Sequence, residues 1–593
     1  MKDNSNGNCG DKFSPFVGKV EIMKYRIVFF VFLLIAGFLL HLPSGLGVSL
    51  SIPPDSTEYA ICLANLFEHG KFGFTINGEW FPSRYAPWFS IFYLSPAYFI
   101  FGGDVLALHW SVLAFALAIL VFLYKTGHII GLGKWSILCA VLPLFIPDFV
   151  FYSRLTMTEI PYVSLFAASA LVFVKFADDE SPSLLFCLSV GALVVWCGMA
   201  RTTALPMLAL FVIVVLCKKY DWKRKLLSIL VLSIPAVAYI AANLFYNKCV
   251  FGSPFRNGYH YWVSVPFDFP RLVFNSKYIY DNVILYLKQP IILIAIIAVS
   301  FVAVVAMLMI KGKFGGARKN RSFLLFFGYV IVQGIVLTML YIGYYWADVR
   351  FFLSIVICII PLFFGAVFAV VGTINRVAGK VVLSAIAVAG IGCFRFVVPR
   401  YIHMAWQYPF RIAEAGISRE VLPSGAIVVQ DGNPIFIDFF GKKGKQIKHL
   451  PIYRDRFEHV LSMISSESIA QFEPKPISWR QRVIPELIES GKCKYAIPYT
   501  LSERPEIIGA LLRQGERVFL HFGISTGYLA KDKKDFSRLL EGYGLKHFGE
   551  WTVPAVEPNP VRHIYDSFIF PSNSMDCSPD VWCSYYEVVE KKQ

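Results

Sequence analysis

The sequence predicts an α-helical polytopic membrane protein of about eleven spans with a soluble C-terminal α/β domain. Three observations lead there. The chain is 56% hydrophobic and only 16% charged, with a mean hydropathy of +0.57, whereas a soluble chain carries roughly a quarter charged residues. The deficit is uneven: long apolar runs fill residues 27–398, while 399–593 reads as ordinary globular sequence. Basic residues gather in the short loops between the runs, the pattern that sets membrane topology.

Taken in order, residues 1–26 form a polar N-terminal segment, expected to be cytoplasmic. The run 27–48 is too long for a signal-peptide core and lacks a small-residue cleavage site, so it is expected to stay as the first span. Further spans are expected near 105–124, 135–151, 160–176, 184–200, 202–217, 226–246, 290–310, 323–345, 351–372 and 381–398. The stretch 88–101 is shorter: its 14 residues make a helix of about 21 Å, against the ~30 Å of a hydrocarbon core. It contains Pro96 and stops at Gly102-Gly103.

Charge decides whether 88–101 crosses. If it does not, the loops 125–134, 177–183, 218–225, 311–321 and 373–380 are cytoplasmic and hold fourteen basic residues. If it does, all fourteen face out. Only loop 177–183, with Asp178, Asp179 and Glu180, runs the other way. The expectation is therefore a plasma (inner) membrane protein with a cytoplasmic N-terminus and outer loops 49–87 and 247–289. An odd number of spans places the C-terminal domain outside the cytoplasm.

The formal net charge of +16 is spent largely in these topology-setting loops, which argues against a nucleic-acid partner. Of the 12 cysteines, Cys139, Cys187, Cys197, Cys217, Cys358 and Cys393 lie inside apolar runs as small packing residues. No Cys/His spacing indicates a metal site, and no cofactor is indicated; dependence on a divalent ion stays open. Cys577 and Cys583 could form a disulfide if that end is extracytoplasmic.

With this topology, ionisable residues beside the apolar runs fall on the outer face. Asp55, Glu58 and Tyr59 follow the first span, and Arg84 and Tyr85 close the first outer loop. Thr158-Glu159-Ile-Pro161 opens a later span, and Arg201 separates two apolar runs. Ser253, Tyr259 and Lys277 lie in the long outer loop, and Arg350 begins another span. Each has a plainer reading: Asp55 as a helix cap, Glu159 as a cap or paired to Arg154, the arginines at lipid head groups, Ser253-Pro254 and Gly258 as turn residues. Charge at membrane depth is costly, however, and its convergence on one face points to function. Carboxylates beside fixed cations suit acid–base work next to an anionic leaving group such as a phosphate.

At these residues the chain resembles the GT-C superfamily of membrane glycosyltransferases, in the branch of protein O-mannosyltransferases and lipid A aminoarabinose transferases. The likeness covers roughly residues 25–400. Asp55, with Glu58 and Tyr59 behind it, looks like the acidic motif of the first outer loop that supplies the catalytic base, although Ser56 stands where a second acid is common. Arg84-Tyr85-Ala-Pro87 resembles the passage into the next helices. Thr158-Glu159-Ile-Pro161 matches the second acidic position, with Glu for the commoner Asp. Phe251-Gly-Ser253-Pro254 with Gly258-Tyr259 resembles a loop of bacterial members, and Arg350-Phe-Phe-Leu an Arg-Tyr motif with Phe in place of Tyr.

The resemblance implies a GT-C bundle and transfer of a monosaccharide, with inversion, from a polyprenyl-phosphate donor to an extracytoplasmic lipid, glycan or protein. It implies Asp55 and Glu159 as catalytic carboxylates and Arg84, Arg201, Lys277 and Arg350 as donor-phosphate ligands. Glu58, Tyr59, Tyr85, Ser253 and Tyr259 would line the pocket. Oligosaccharyl relatives use a divalent ion, which the monosaccharide branch generally does not. The competing readings are a transporter or lipid flippase and a membrane scaffold. The first is disfavoured by the lack of an inverted repeat.

In the C-terminal domain, 426–430, 495–498 and 517–522 read as strands, and 483–490 and 505–514 as helices. No phosphate-loop or dinucleotide fingerprint appears. Asp431-Gly reads as a turn.

Overall fold

The computed structural model describes residues 28–37, 40, 55–76, 79–258, 280, 283–284, 286–288, 290–310, 317–341, 349–374, 420–430, 448–451, 506–522, 542–553 and 581–590. The protein is a multi-pass membrane protein with a sheet-containing C-terminal region. Among the described residues, six helices are long and apolar enough to cross a membrane: α4 (Val105–Ile129), α7 (Glu159–Asp178), α10 (Trp222–Phe251), α11 (Pro290–Ile310), α12 (Ala317–Tyr341) and α13 (Leu353–Ile374). Shorter apolar helices stand where four further spans were expected: α1 (Val28–Gly37), α5 (Gly133–Phe145), α8 (Leu184–Ala200) and α9 (Thr202–Cys217). The span expected at 381–398 lies outside the described residues. The doubtful stretch forms α3 (Ser90–Ile100), a short helix whose first turn is π-helical. A small helix, α6 (Pro147–Tyr152), precedes α7.

The segment expected to form the first outer loop is built from α2 (Asp55–His69), β1 (Gly73–Ile76) and β2 (Glu79–Pro82). The two strands form an antiparallel hairpin with Phe74 opposite Phe81 and Ile76 opposite Glu79. The intervening Asn77-Gly78 is the dipeptide that tight hairpins favour. The Asn65 side chain donates to the Gly73 carbonyl at 2.8 Å, tying α2 to the hairpin. In consequence the chain after β2 returns alongside the first turn of α2.

Helix α7 is the axis of the bundle. Its 20 residues span about 30 Å, and most are buried, Phe166 and Phe176 fully. Its two ends therefore mark opposite faces. Glu159 stands at the first, among the residues expected on the outer face. At the other, Lys218 Nζ donates to the Ala177 carbonyl at 2.8 Å, and Arg321 pairs with Asp178 at 3.2 Å. Cations at a helix C-terminus meet unpaired carbonyls and the negative end of the dipole. The acidic loop 177–183 thus shares its face with basic residues of loops 218–225 and 311–321, which removes the one discord in the charge pattern.

One helix contact depends on a missing side chain. A Cβ on Gly191 of α8 would fall 2.1 Å from the Leu232 carbonyl oxygen of α10, so glycine is required where these backbones meet.

In the C-terminal region, β3 (Ile427–Gln430), β4 (Lys448–Pro451), β5 (Val518–Phe522), β6 (Tyr543–Val553) and β7 (Val581–Glu590) form one sheet in the order β4-β3-β5-β7-β6. The β3 pairings with β4 and β5 are parallel; the β5–β7 and β6–β7 pairings are antiparallel. Helix α14 (Glu506–Arg513) buries Ile508 and Leu511. The strands expected at 426–430 and 517–522 and the helix at 505–514 are thus present, while 483–490, 495–498, Asp431 and Cys577 lie outside the described residues.

Candidate active site

Two helix N-termini supply the carboxylates. Asp55 and Glu58 sit in the first turn of α2, and Glu159 is the first residue of α7, positions where the helix dipole favours negative charge. The cations arrive from breaks in regular structure. Arg84 follows β2. Arg201 is the extended residue between α8 and α9, with φ −146° and ψ 119°. Arg350 lies in the 3-10 turn Val349–Phe352 that leads into α13.

These groups form one continuous cluster. Asp55 Oδ1 accepts from Arg84 Nη2 and from the Tyr85 hydroxyl, each at 2.6 Å. Its Oδ2 accepts from Arg350 Nη1 at 3.1 Å. That nitrogen also lies 3.9 Å from Glu159 Oε1, so one guanidinium stands between the two carboxylates expected to be catalytic. Glu159 in turn pairs with Arg201 Nη2, whose Nε donates to Thr158 Oγ1 at 3.3 Å. Of the two plainer readings for Glu159, the pair with Arg154 is not what forms: Arg154 Nε donates to the Leu40 carbonyl at 3.1 Å.

Aromatic rings line the arginines. The Arg84 guanidinium lies 4.6 Å from the Tyr85 ring, and Arg201 and Arg350 lie 5.5 and 5.2 Å from Phe351. Tyr59 stacks on Tyr85 at 4.4 Å, so it orients the residue that touches Asp55.

Glu58 is placed differently from expectation. It is 2% exposed. Its Oε1 accepts from Ser83 Oγ and from the Arg84 backbone N–H at 2.8 Å each, and its Oε2 pairs with Arg84 Nε at 3.0 Å. These contacts grip Arg84 rather than line a pocket. From the other side Gly258 closes on the same residue, because a Cβ there would lie 2.2 Å from Arg84 Cα. The loop after α10 is thereby seated against Arg84. Ser253 occupies the turn before it, its carbonyl accepting from the Arg256 N–H at 3.2 Å. Tyr259 and Lys277 lie outside the described residues.

Charge is balanced, with carboxylates at Asp55, Glu58 and Glu159 against guanidiniums at Arg84, Arg201 and Arg350. Burial opposes the charge on Asp55, but Arg84, Arg350 and the Tyr85 hydroxyl outweigh it and hold the carboxyl down at about 2. Glu58 moves the other way: burial raises it above the ordinary range, against the pull of Arg84 and its hydrogen bonds. Among the described residues, no group of three or more His, Cys, Asp or Glu side chains has the arrangement of a metal site.

Ser83 is not singled out as a site residue by the sequence. The signal for Ser83 is the hairpin, whose register carries residue 83 back to Glu58. Gly258 reads in the sequence as part of a loop motif or a turn, and its approach to Arg84 is legible only in three dimensions.

No family model matches the sequence, and no curated protein matches it. Among solved structures the fold is similar to ArnT from Cupriavidus metallidurans, with 11% identity over 96% of this chain and 98% of that one and a TM-score of 0.45. A structure of the same protein bound to undecaprenyl phosphate matches over 95% of this chain and 98% of that one, with 11% identity and a TM-score of 0.43. The oligosaccharyltransferase AglB from Archaeoglobus fulgidus, in complex with an inhibitory peptide and a dolichol-phosphate, matches over 87% of this chain and 72% of that one, with 10% identity and a TM-score of 0.44. Both proteins belong to the GT-C superfamily, which the motifs of this chain resemble. At these scores the chemistry has to be read from the residues of this chain.

Proposed function

We propose that the protein is a membrane glycosyltransferase that moves one sugar from a polyprenyl phosphate to an acceptor on the extracytoplasmic face of the plasma (inner) membrane. The observation that carries the reading is Arg350 shared between Asp55 and Glu159, at 3.1 and 3.9 Å, beside Arg84 and Arg201. Buried and half-buried guanidiniums converging beside the ends of apolar helices suit a lipid-linked phosphate, whose tail can remain among the helices.

In this mechanism Asp55 takes the proton of the acceptor hydroxyl. The acceptor oxygen bonds to the anomeric carbon as the bond from that carbon to the phosphate oxygen breaks, with inversion. The bonding pair leaves with the polyprenyl phosphate; Arg84 and Arg350 neutralise its growing charge, while Arg201 holds the donor phosphate from the ground state onward. A carboxylate held at about 2 is a weak base. A phosphate that takes up Arg84 and Arg350 loosens their hold on Asp55 and raises its basicity as the donor is seated. Glu159, engaged with Arg201 and Arg350, aims those guanidiniums. The acceptor is a lipid, a glycan or a protein, and the N-terminus is cytoplasmic.

The test is transfer from labelled polyprenyl-phosphate sugars by the full-length protein in proteoliposomes. Transfer that disappears in a folded Asp55→Asn variant supports the reading. Normal turnover by that variant removes Asp55 as the base. Movement of the intact lipid across the bilayer without sugar transfer would instead indicate a flippase.

A further inference from the structure

Gln333 lies within α12, in a span of apolar residues, and is fully buried. A carboxamide at membrane depth is costly unless its donors are used. Its Nε2 donates to the Tyr162 hydroxyl and, at 3.3 Å, to the Thr203 carbonyl. That carbonyl is available for a reason written in the sequence: Thr203 lies in the 3-10 stretch Thr202–Met207, and Pro206, three residues on, has no N–H to offer it.

Both partners bear on Arg201. Thr203 is two residues beyond it in the chain. Tyr162, one helical turn after Glu159, has its ring 5.9 Å from the Arg201 guanidinium. The backbone of the same tyrosine is tied to α8, its carbonyl meeting Cys197 Sγ at 3.6 Å. One amide thus braces the backbone just past Arg201 and the ring beneath its charge, while α7, α9 and α12 meet at that point.

We infer that Gln333 is a positioning residue for the Arg201 guanidinium, acting through the Tyr162 hydroxyl and the Thr203 carbonyl. The role follows from this network alone; its catalytic consequence rests on the function proposed above, in which Arg201 holds the donor phosphate. Among the described residues, Gln333 forms no hydrogen bond with the charged groups themselves. Its loss therefore lets Arg201 wander from Glu159 without changing the charge of the cluster.

The experiment uses the full-length protein in nanodiscs and the variants Gln333→Leu, Tyr162→Phe and Arg201→Gln, singly and in pairs. Thermal unfolding comes first, because it needs no activity. The inference expects Gln333→Leu with Tyr162→Phe, and Gln333→Leu with Arg201→Gln, to melt well above the sum of the single losses. Additive losses in both pairs would overturn it. Should Gln333→Leu fail to fold, Tyr162→Phe removes only the acceptor hydroxyl and runs the same cycle with Arg201→Gln.

Kinetics with a polyprenyl-phosphate sugar come second. Gln333→Leu is expected to raise KM about five- to tenfold with kcat within about twofold, the mark of weakened ground-state binding. Loss of kcat at unchanged KM contradicts the positioning role. If the wild-type protein transfers no sugar, the proposed function fails while the unfolding cycles still decide the inference.

Discussion

Asp55→Asn separates electrostatics from shape, since the amide keeps one oxygen for the Tyr85 hydroxyl and Arg84 while the charge is lost. Folding lowers the Asp55 carboxyl from 3.8 to about 2, and at ~1.4 kcal/mol per unit the folded state gains about 2 kcal/mol from its ionised form. The sign follows directly. A depressed acid contributes fully above its unfolded value, so the gain is present from about pH 5 upward and fades as pH falls toward 2. Thermal unfolding of wild type and Asp55→Asn in nanodiscs, from pH 7 down to pH 3, reads it. The variant should melt a few degrees lower at pH 7, and the gap should narrow below about pH 4. Equal melting at pH 7, or a gap that does not change with pH, would refute the account of Asp55 as a carboxylate held by Arg84 and Arg350.

Arg350→Gln removes the cation between Asp55 and Glu159; breaking a buried pair costs about 3–5 kcal/mol. At 21% exposure the lower end applies, and unfolding paired with sugar transfer should show both stability and activity reduced. Glu58→Gln keeps an oxygen for Ser83 and the Arg84 N–H, so it should be much milder than Glu58→Ala. Because burial raises Glu58, its folded-state contribution is greatest below the ordinary glutamate range and is lost as pH rises. Stability measured from pH 4 to pH 8 should accordingly shift in favour of Glu58→Gln. Gly258→Ala places a Cβ 2.2 Å from Arg84 Cα; it should cost about 1–3 kcal/mol and reduce transfer while membrane insertion, read by protease protection, is retained.

The charged cluster was legible because its residues are out of place. Asp55, Arg84, Glu159, Arg201 and Arg350 each interrupt or border an apolar run, where chemistry excludes a casual charge. The sequence marks which groups belong together but not how they pair. Nothing local tells that Arg350 bridges Asp55 and Glu159, or that Arg154 turns away to the Leu40 carbonyl. Glu58 was harder. Three residues from Asp55 it reads as a second site acid, and only the hairpin register, carrying Ser83 and Arg84 back to it, turns it into a clamp. Gln333 is hidden by composition, one amide in the middle of a span whose hydropathy it barely lowers.

The fold divides the same way. The long spans follow from hydropathy alone, whereas α8 and α9 are short because Arg201 and Pro206 break what would otherwise be continuous apolar helix. In the C-terminal region the parallel strands β3 and β5 are compact apolar runs and easily read. Strands β6 and β7 pair across 27 intervening residues, with a register shift between His547 and Gly549 and a run of exposed positions at 545–548 that dilutes any alternation.

The most direct test of the central claim is the affinity of a polyprenyl phosphate, undecaprenyl phosphate, for the protein in nanodiscs. Asp55 holds the guanidiniums that the phosphate is proposed to take, so the account predicts tighter binding by Asp55→Asn and weaker binding by Arg350→Gln. Binding that is unchanged in both variants, or weakened by Asp55→Asn, would contradict it.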